Sequence, residues 1–188
     1  MFRDVGGEKE PALAVPESLL PNRDLVLPKL TPEVLEELRD AGWSRVGLMV
    51  AFLDKEDNIM MLEHNIRQKN GHGALGPLGE TSQHSGPIIE QPIETLYRGI
   101  QEELGIQHPE RLELFMRPAG GWVVNQWPRG DDYPDQYACA ISFPVFLSDS
   151  VKEYLLSIPH GTEEVGNLHF IPVDTVMEMP DNLSLIHI

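Results

Sequence analysis

Between Glu90 and Ile106 the chain reads EQPIETLYRGIQEELGI, and its apolar residues recur with one period only. At about 100° per residue, Ile93, Leu96, Tyr97, Ile100 and Leu104 collect on one arc, the spacing of a helix that buries one face. Pro92 suits a first helical turn and Gly105 a left-handed C-terminal cap. Glu102 and Glu103 project from a different arc, in the last turn, where the partially negative end of a helix ordinarily favours a cation. A bound divalent metal resolves that repulsion. The remaining sequence reads as scaffold for this helix.

Arg98-Gly-Ile-Gln-Glu102-Glu103-Leu-Gly105-Ile106 resembles the second half of the Nudix box, G(x5)E(x7)REU(x)EE(x)GU with U a bulky aliphatic, and Glu90 stands at the required distance before Arg98. The resemblance covers Glu90, Arg98, Ile100, Glu102, Glu103, Gly105 and Ile106 in register, which is far more restrictive than any acid pair. The chain departs from the pattern twice. Gly99 occupies the position of an acid that in this family is often a metal ligand and in some members the general base. The opening glycine of the box should fall at His84, whereas the actual glycines are Gly79 and Gly86. If Gly79 is the counterpart, the loop before the helix carries a small insertion containing TSQHS.

Composition bounds the remaining possibilities. A chain of 188 residues with 41% hydrophobic content supports one well-formed core and no second full domain. Its 14 basic and 30 acidic residues give a formal charge of -16 with no basic cluster, which argues against binding a nucleic acid polymer. An acidic protein still accepts a small phosphorylated molecule where metal ions supply positive charge. Cys139 is the single cysteine, so no internal disulfide or cysteine-based zinc site exists, and YACAISF reads as a buried strand. No apolar run approaches the roughly 20 residues that span a bilayer, and the N-terminus lacks a basic-then-apolar leader. A cytoplasmic protein with no membrane partner is expected.

Taken in order, residues 1 to about 30 are rich in Pro, Gly and charge and read as an extended arm that wraps the domain or a second subunit of a homodimer. Thr31 and Pro32 mark a helix start, with Val34, Leu35 and Leu38 as its apolar face. The expected organisation is an extension with a short helix over 1–40, a Nudix-like domain over 41–180 and a tail over 181–188. Val46 to Leu53 and Ile59 to Leu62, joined by a polar turn, predict a hairpin. LGPLGE at Leu75 to Glu80 resembles the family's approach to the box. His64, His72 and His84 lack a tight ligand spacing and read as exposed polar residues. Leu112 to Met116, Trp122 to Gln126 and Tyr137 to Leu147 are further strand-like runs. Asp149 to Ser157 is a short helix with Val151, Tyr154, Leu155 and Ile158 facing inward, and LHFIPVD is a last strand.

Two loops carry candidate chemistry. Trp127 and Arg129 are candidates to stack a base or hold a phosphate, since aromatic faces and guanidinium forks suit those groups. The competing reading is a proline-rich turn with packing tryptophans. Glu163 and Glu164 are candidates to replace the acid missing at Gly99, because the family often brings a glutamate from a comparable late loop towards the metal. The alternative is that they are solvated loop charges. The resemblance implies an α/β fold, a Nudix-type α/β/α sandwich around a mixed β-sheet. It implies further that Glu102 and Glu103 hold Mg2+ or Mn2+, with Glu90 and Arg98 as supporting residues. The expected activity is hydrolysis of a diphosphate bond in a nucleoside diphosphate linked to another moiety or in a similar small molecule. A nucleotide- or metabolite-binding module without catalysis is the rival, motivated by Gly99. A purely structural domain is the third reading, and the retained acid pair counts against it.

Overall fold

The structure, a computed structural model, describes residues 13–21, 27–64, 74–85, 88–112, 122–128, 137–159 and 165–178; within these, the side chains of His64, Ala74, Asn125, Trp127 and Pro128 are left aside. Helix α1 spans Pro32–Asp40, and Val34 N–H donates to the Thr31 hydroxyl at 3.3 Å, the cap expected from sequence. Strands β1 (Trp43–Leu53) and β2 (Asn58–His64) form the expected hairpin, with β1 beginning at Trp43 rather than Val46. Then follow β3 (Ala74–Gly76), β4 (Leu78–Thr81), β5 (His84–Ser85), β6 (Ile88–Ile89) and helix α2 (Pro92–Leu104). Strand β7 (Val123–Pro128), strand β8 (Tyr137–Phe146), helix α3 (Asp149–Ser157), strand β9 (Val165–Pro172) and helix α4 (Val173–Glu178) complete the order.

The main sheet runs β3-β2-β1-β8-β7, with β4 paired to β1 and β9 paired to β2. β1 and β8 are parallel over almost their whole length while the other pairs are antiparallel, so the sheet is mixed. Side chains alternate across it. Val46, Leu48, Val50 and Phe52 of β1 join Met60 and Leu62 of β2 in a core shared with Val34 and Leu38 of α1, Leu96, Ile100 and Leu104 of α2, and Val151 and Leu155 of α3. Ala51, Ile59 and Met61 face the other way and pack on Val176 of α4. A sheet buried on both faces needs this near-continuous apolar patterning, and the result is the expected α/β/α layering.

The turn between β1 and β2 is built around Asp54, whose side chain is buried and accepts the backbone N–H of Glu56 at 2.9 Å and of Asn58 at 2.8 Å. Lys152 of α3 places its ammonium on the same carboxylate and lies 5.0 Å from the centre of the Phe170 ring, tying hairpin, helix and β9 together. Burial opposes ionisation of Asp54, but Lys152 and Asn58 outweigh it and hold the carboxyl at about 2.

Several expectations need correction or fall outside the described residues. Tyr154 stays 44% exposed, because only Val151 and Leu155 of α3 reach the core. Leu112 follows a 3-10 turn, Pro109–Arg111, and lies in no strand, while 113–116 are outside the described residues. Within TSQHS, Thr81 ends β4 and His84–Ser85 form β5, which pairs with β6 beyond the stretch and leaves His84 exposed. His72 is outside the described residues. Cys139 is fully buried in β8, and burial pushes its thiol up to about 12. Residues 13–21 close over the domain itself: Leu19 is fully buried, Trp43 Nε1 donates to Ala14 O at 2.7 Å, and Trp122 Nε1 to Leu19 O at 2.8 Å. No helix among the described residues is long and apolar enough to cross a membrane.

Candidate functional site

Helix α2 begins where its sequence requires. Pro92 occupies the first turn, and Glu94 reaches back to accept the Gln91 N–H at 2.8 Å, satisfying a donor that the helix start leaves open. Gly105 closes the helix at φ 70°, the left-handed conformation that glycine adopts without a Cβ penalty. The Gln91 amide also accepts from Leu30 N–H and donates to Leu30 O, both at 3.0 Å, pinning the segment before α1 to the start of α2.

The buried side of α2 is wider than its apolar arc. Besides Leu96, Ile100 and Leu104, it includes Thr95, Gly99 and Glu103. Gly99 faces β4. A Cβ there would lie 3.1 Å from Leu78 Cδ2 and 3.3 Å from Glu80 Cβ, tighter than ordinary packing, so the glycine permits the close approach of strand and helix. Glu103 is 5% exposed, one turn further along the same stripe, whereas the Glu102 side chain is 48% exposed. The two acids, expected together on an arc apart from the apolar one, are thus divided between the surface and the interior. A residue in this helix advances by about 100°, and that step carries Glu103 from the polar edge onto the buried side.

Arg98 organises the polar edge. Its Nε donates to Glu90 Oε1 at 2.8 Å and its Nη2 to Glu90 Oε2 at 3.0 Å, a two-point guanidinium-carboxylate pair. Nη2 also donates to Thr81 O at 2.6 Å, and Nη1 donates to Glu102 Oε2 at 2.9 Å. Glu80 Oε2 stands 3.2 Å from the same Nη1. Glu90 accepts two further bonds, from Gln83 N–H at 2.8 Å and the Thr95 hydroxyl at 3.1 Å. The guanidinium therefore bolts the loop between β4 and α2 onto the helix.

The charges here are tuned by burial and by Arg98. Burial works against ionisation of Glu90, but the hydrogen bonds from Arg98 and Gln83 prevail and lower its pKa. At Glu80 burial prevails, raising the pKa despite the Thr81 N–H and the Arg98 charge. Arg98 is held all the more firmly protonated, chiefly by Glu90. Three carboxylates around one guanidinium leave an excess of negative charge, and the carboxylate of Glu102, 48% exposed, is the kind of hard oxygen donor that Mg2+ or Mn2+ takes. Among the described residues, no three His, Cys, Asp or Glu side chains are gathered in a metal-holding arrangement.

The sequence-level candidates divide accordingly. Glu90, Arg98 and Glu102 come together, Gly105 ends the helix behind them, and Glu103 lies on the inner side of α2. Trp127 sits in β7 opposite Ala138, with its side chain left aside. Arg129, Glu163 and Glu164 lie outside the described residues. Glu80 was not singled out from sequence. Its signal was available in the pairing of a glycine at 99 with an acid directly after Gly79, but only the strand register shows that the two meet.

No protein-family model and no curated protein matches the chain. Solved structures do. A MutT protein from Methanosarcina mazei Go1 is 12% identical, covering 72% of this chain and 82% of that one, with a TM-score of 0.46. The Nudix domain of Shewanella oneidensis NrtR, crystallised with ADP ribose, is 12% identical over 72% of this chain and 77% of its own, with a TM-score of 0.41. A MutT Nudix hydrolase from Burkholderia pseudomallei is 16% identical, with 72% and 86% covered and a TM-score of 0.42.

Proposed function

We propose that this chain is a divalent-metal-dependent hydrolase of the Nudix type that cleaves a diphosphate bond in a nucleoside diphosphate linked to a second moiety. The observation that carries the reading is the Glu90-Arg98-Glu102 arrangement, in which the box residues stand in register on one loop-helix junction. Such spacing is hard to reconcile with a scaffold alone.

In this reading Glu90 and Arg98 keep the loop fixed against α2, so that the acids of the helix are held in constant relation to β4. Glu102 and Glu103 are the residues that would hold Mg2+ or Mn2+. When bound, the ion would supply positive charge to the diphosphate oxygens. A carboxylate orients the attacking water and takes its proton, Glu163 and Glu164 being the candidates from sequence. Trp127 and Arg129 are the proposed contacts to the base and phosphate of a nucleotide-like substrate. A cytoplasmic location and an assembly of two copies belong to the same proposal. The second reading, a binding module without turnover, is favoured by Gly99 alone.

The test is incubation of the purified protein with Mg2+ or Mn2+ and a panel of nucleoside diphosphate derivatives, ADP-ribose among them, following phosphate-containing products. Metal-dependent turnover that disappears in Glu103→Gln supports the hydrolase. Metal-dependent binding without turnover on any member selects the module. Absence of both removes the Nudix-type reading.

A further inference from the structure

We infer that Glu80 supplies, from strand β4, the carboxylate that position 99 of α2 lacks, and that it orients the attacking water and takes its proton. The inference rests on the hydrolase reading and gives Glu80, in place of Glu163 and Glu164, the role of its base.

The two positions compete for one space. β4 pairs with β1 in a register that sets Glu80 opposite Leu48, and Leu48 belongs to the core on the α2 side of the sheet. Side chains of directly paired residues share a face, so the Glu80 side chain is directed towards α2. There it meets Gly99: a Cβ on that residue would lie 3.3 Å from Glu80 Cβ and 3.6 Å from Glu80 Cγ. Leu78, fully buried at 3.1 Å, closes the other side. A side chain at 99 would press on Leu78 and on the root of the Glu80 side chain, and this chain, with glycine there, carries its acid on the strand.

The Glu80 carboxylate is also held for use. Its Oε1 accepts the Thr81 N–H at 2.7 Å, and its Oε2 lies 3.2 Å from Arg98 Nη1, the nitrogen that also contacts Glu102. These contacts fix the carboxylate beside Glu102 while its side chain keeps 19% of its surface open. Glu90 is engaged more heavily, its Oε1 accepting from Arg98 and its Oε2 from Arg98, the Gln83 N–H and the Thr95 hydroxyl, and it is a positioning residue. In the proposed step the water oxygen forms a bond to phosphorus as the bridging P–O bond breaks. The leaving phosphate keeps that electron pair, and the water proton passes to a Glu80 oxygen.

The experiment compares wild type, Glu80→Gln and Glu102→Gln. Each is assayed for hydrolysis of the panel member turned over fastest and for Mn2+ affinity by electron paramagnetic resonance. Loss of a general base is worth about 100-fold or more in rate. The expected result is a kcat loss of about that size in Glu80→Gln, with KM and Mn2+ affinity nearly unchanged, against weakened Mn2+ binding in Glu102→Gln. Wild-type kcat in Glu80→Gln overturns the inference, as does Mn2+ binding weakened as much as in Glu102→Gln; in each case the hydrolase reading survives. A wild type that neither turns over substrate nor binds Mn2+ overturns that reading, and the base assignment with it.

Discussion

Arg98 and Glu90 face each other across the loop-helix junction through two parallel hydrogen bonds, Nε to Oε1 at 2.8 Å and Nη2 to Oε2 at 3.0 Å. Both side chains are largely buried, at 17% and 15% exposed. A planar fork can make this contact and an ammonium cannot. Arg98→Lys should therefore destabilise the fold by about 2 to 3 kcal/mol, below the cost of breaking a fully buried pair because some solvent reaches the site. Urea unfolding measures it. A change under about 0.5 kcal/mol, the size of an ordinary surface substitution, would mean that the pair does not bolt the loop.

Asp54 makes acid stability part of the same scaffold. Its folded-state pKa of about 2 lies below its ordinary 3.8, so its contribution is fully present above pH 3.8 and is lost as pH falls through about 2. The shift corresponds to about 2 kcal/mol for this 1% exposed side chain. In Asp54→Asn the stability at neutral pH should drop by about that amount, and the slope between pH 4 and 2 should flatten. Chemical denaturation at stepped pH gives both quantities. An unchanged acid slope would place the titrating group elsewhere.

The Gln91 clamp on Leu30 is testable by amide exchange. Gln91→Ala removes both 3.0 Å bonds to the Leu30 backbone, and the Leu30 N–H should then exchange roughly tenfold faster or more, equivalent to about 1 to 1.5 kcal/mol for a lost hydrogen bond. Protection equal to wild type would show that the segment before α1 is held by apolar contacts alone.

Much of the scaffold was legible in the chain because it rests on local rules. The period of α2, its first-turn Pro92 and its Gly105 cap are signals within a few residues, and the helix runs Pro92–Leu104 as they require. The β1-β2 hairpin and α3 were equally local. What the chain did not reveal depends on register and on width of burial. Glu103 is inside because the stripe of α2 facing β4 includes Thr95 and Gly99, small residues that a hydrophobicity pattern does not register. Glu80 meets Gly99 only because β4 pairs with β1 opposite Leu48, a long-range choice with no local mark. Residues 13–21 looked irregular from their prolines, yet Leu19 is fully buried, since two tryptophan N–H groups fasten that segment.

The central claim, metal-dependent hydrolysis on the α2 platform, is tested most directly by the initial rate of product release from a hydrolysed nucleoside diphosphate derivative as Mg2+ is raised from zero. Wild type should be silent without metal and saturate with it, while Glu102→Gln should require far more Mg2+ and lose about 100-fold or more of the saturated rate, the scale of removing one strong electrostatic group. A wild-type rate independent of Mg2+ and Mn2+, or a Glu102→Gln curve superimposable on wild type, would contradict it.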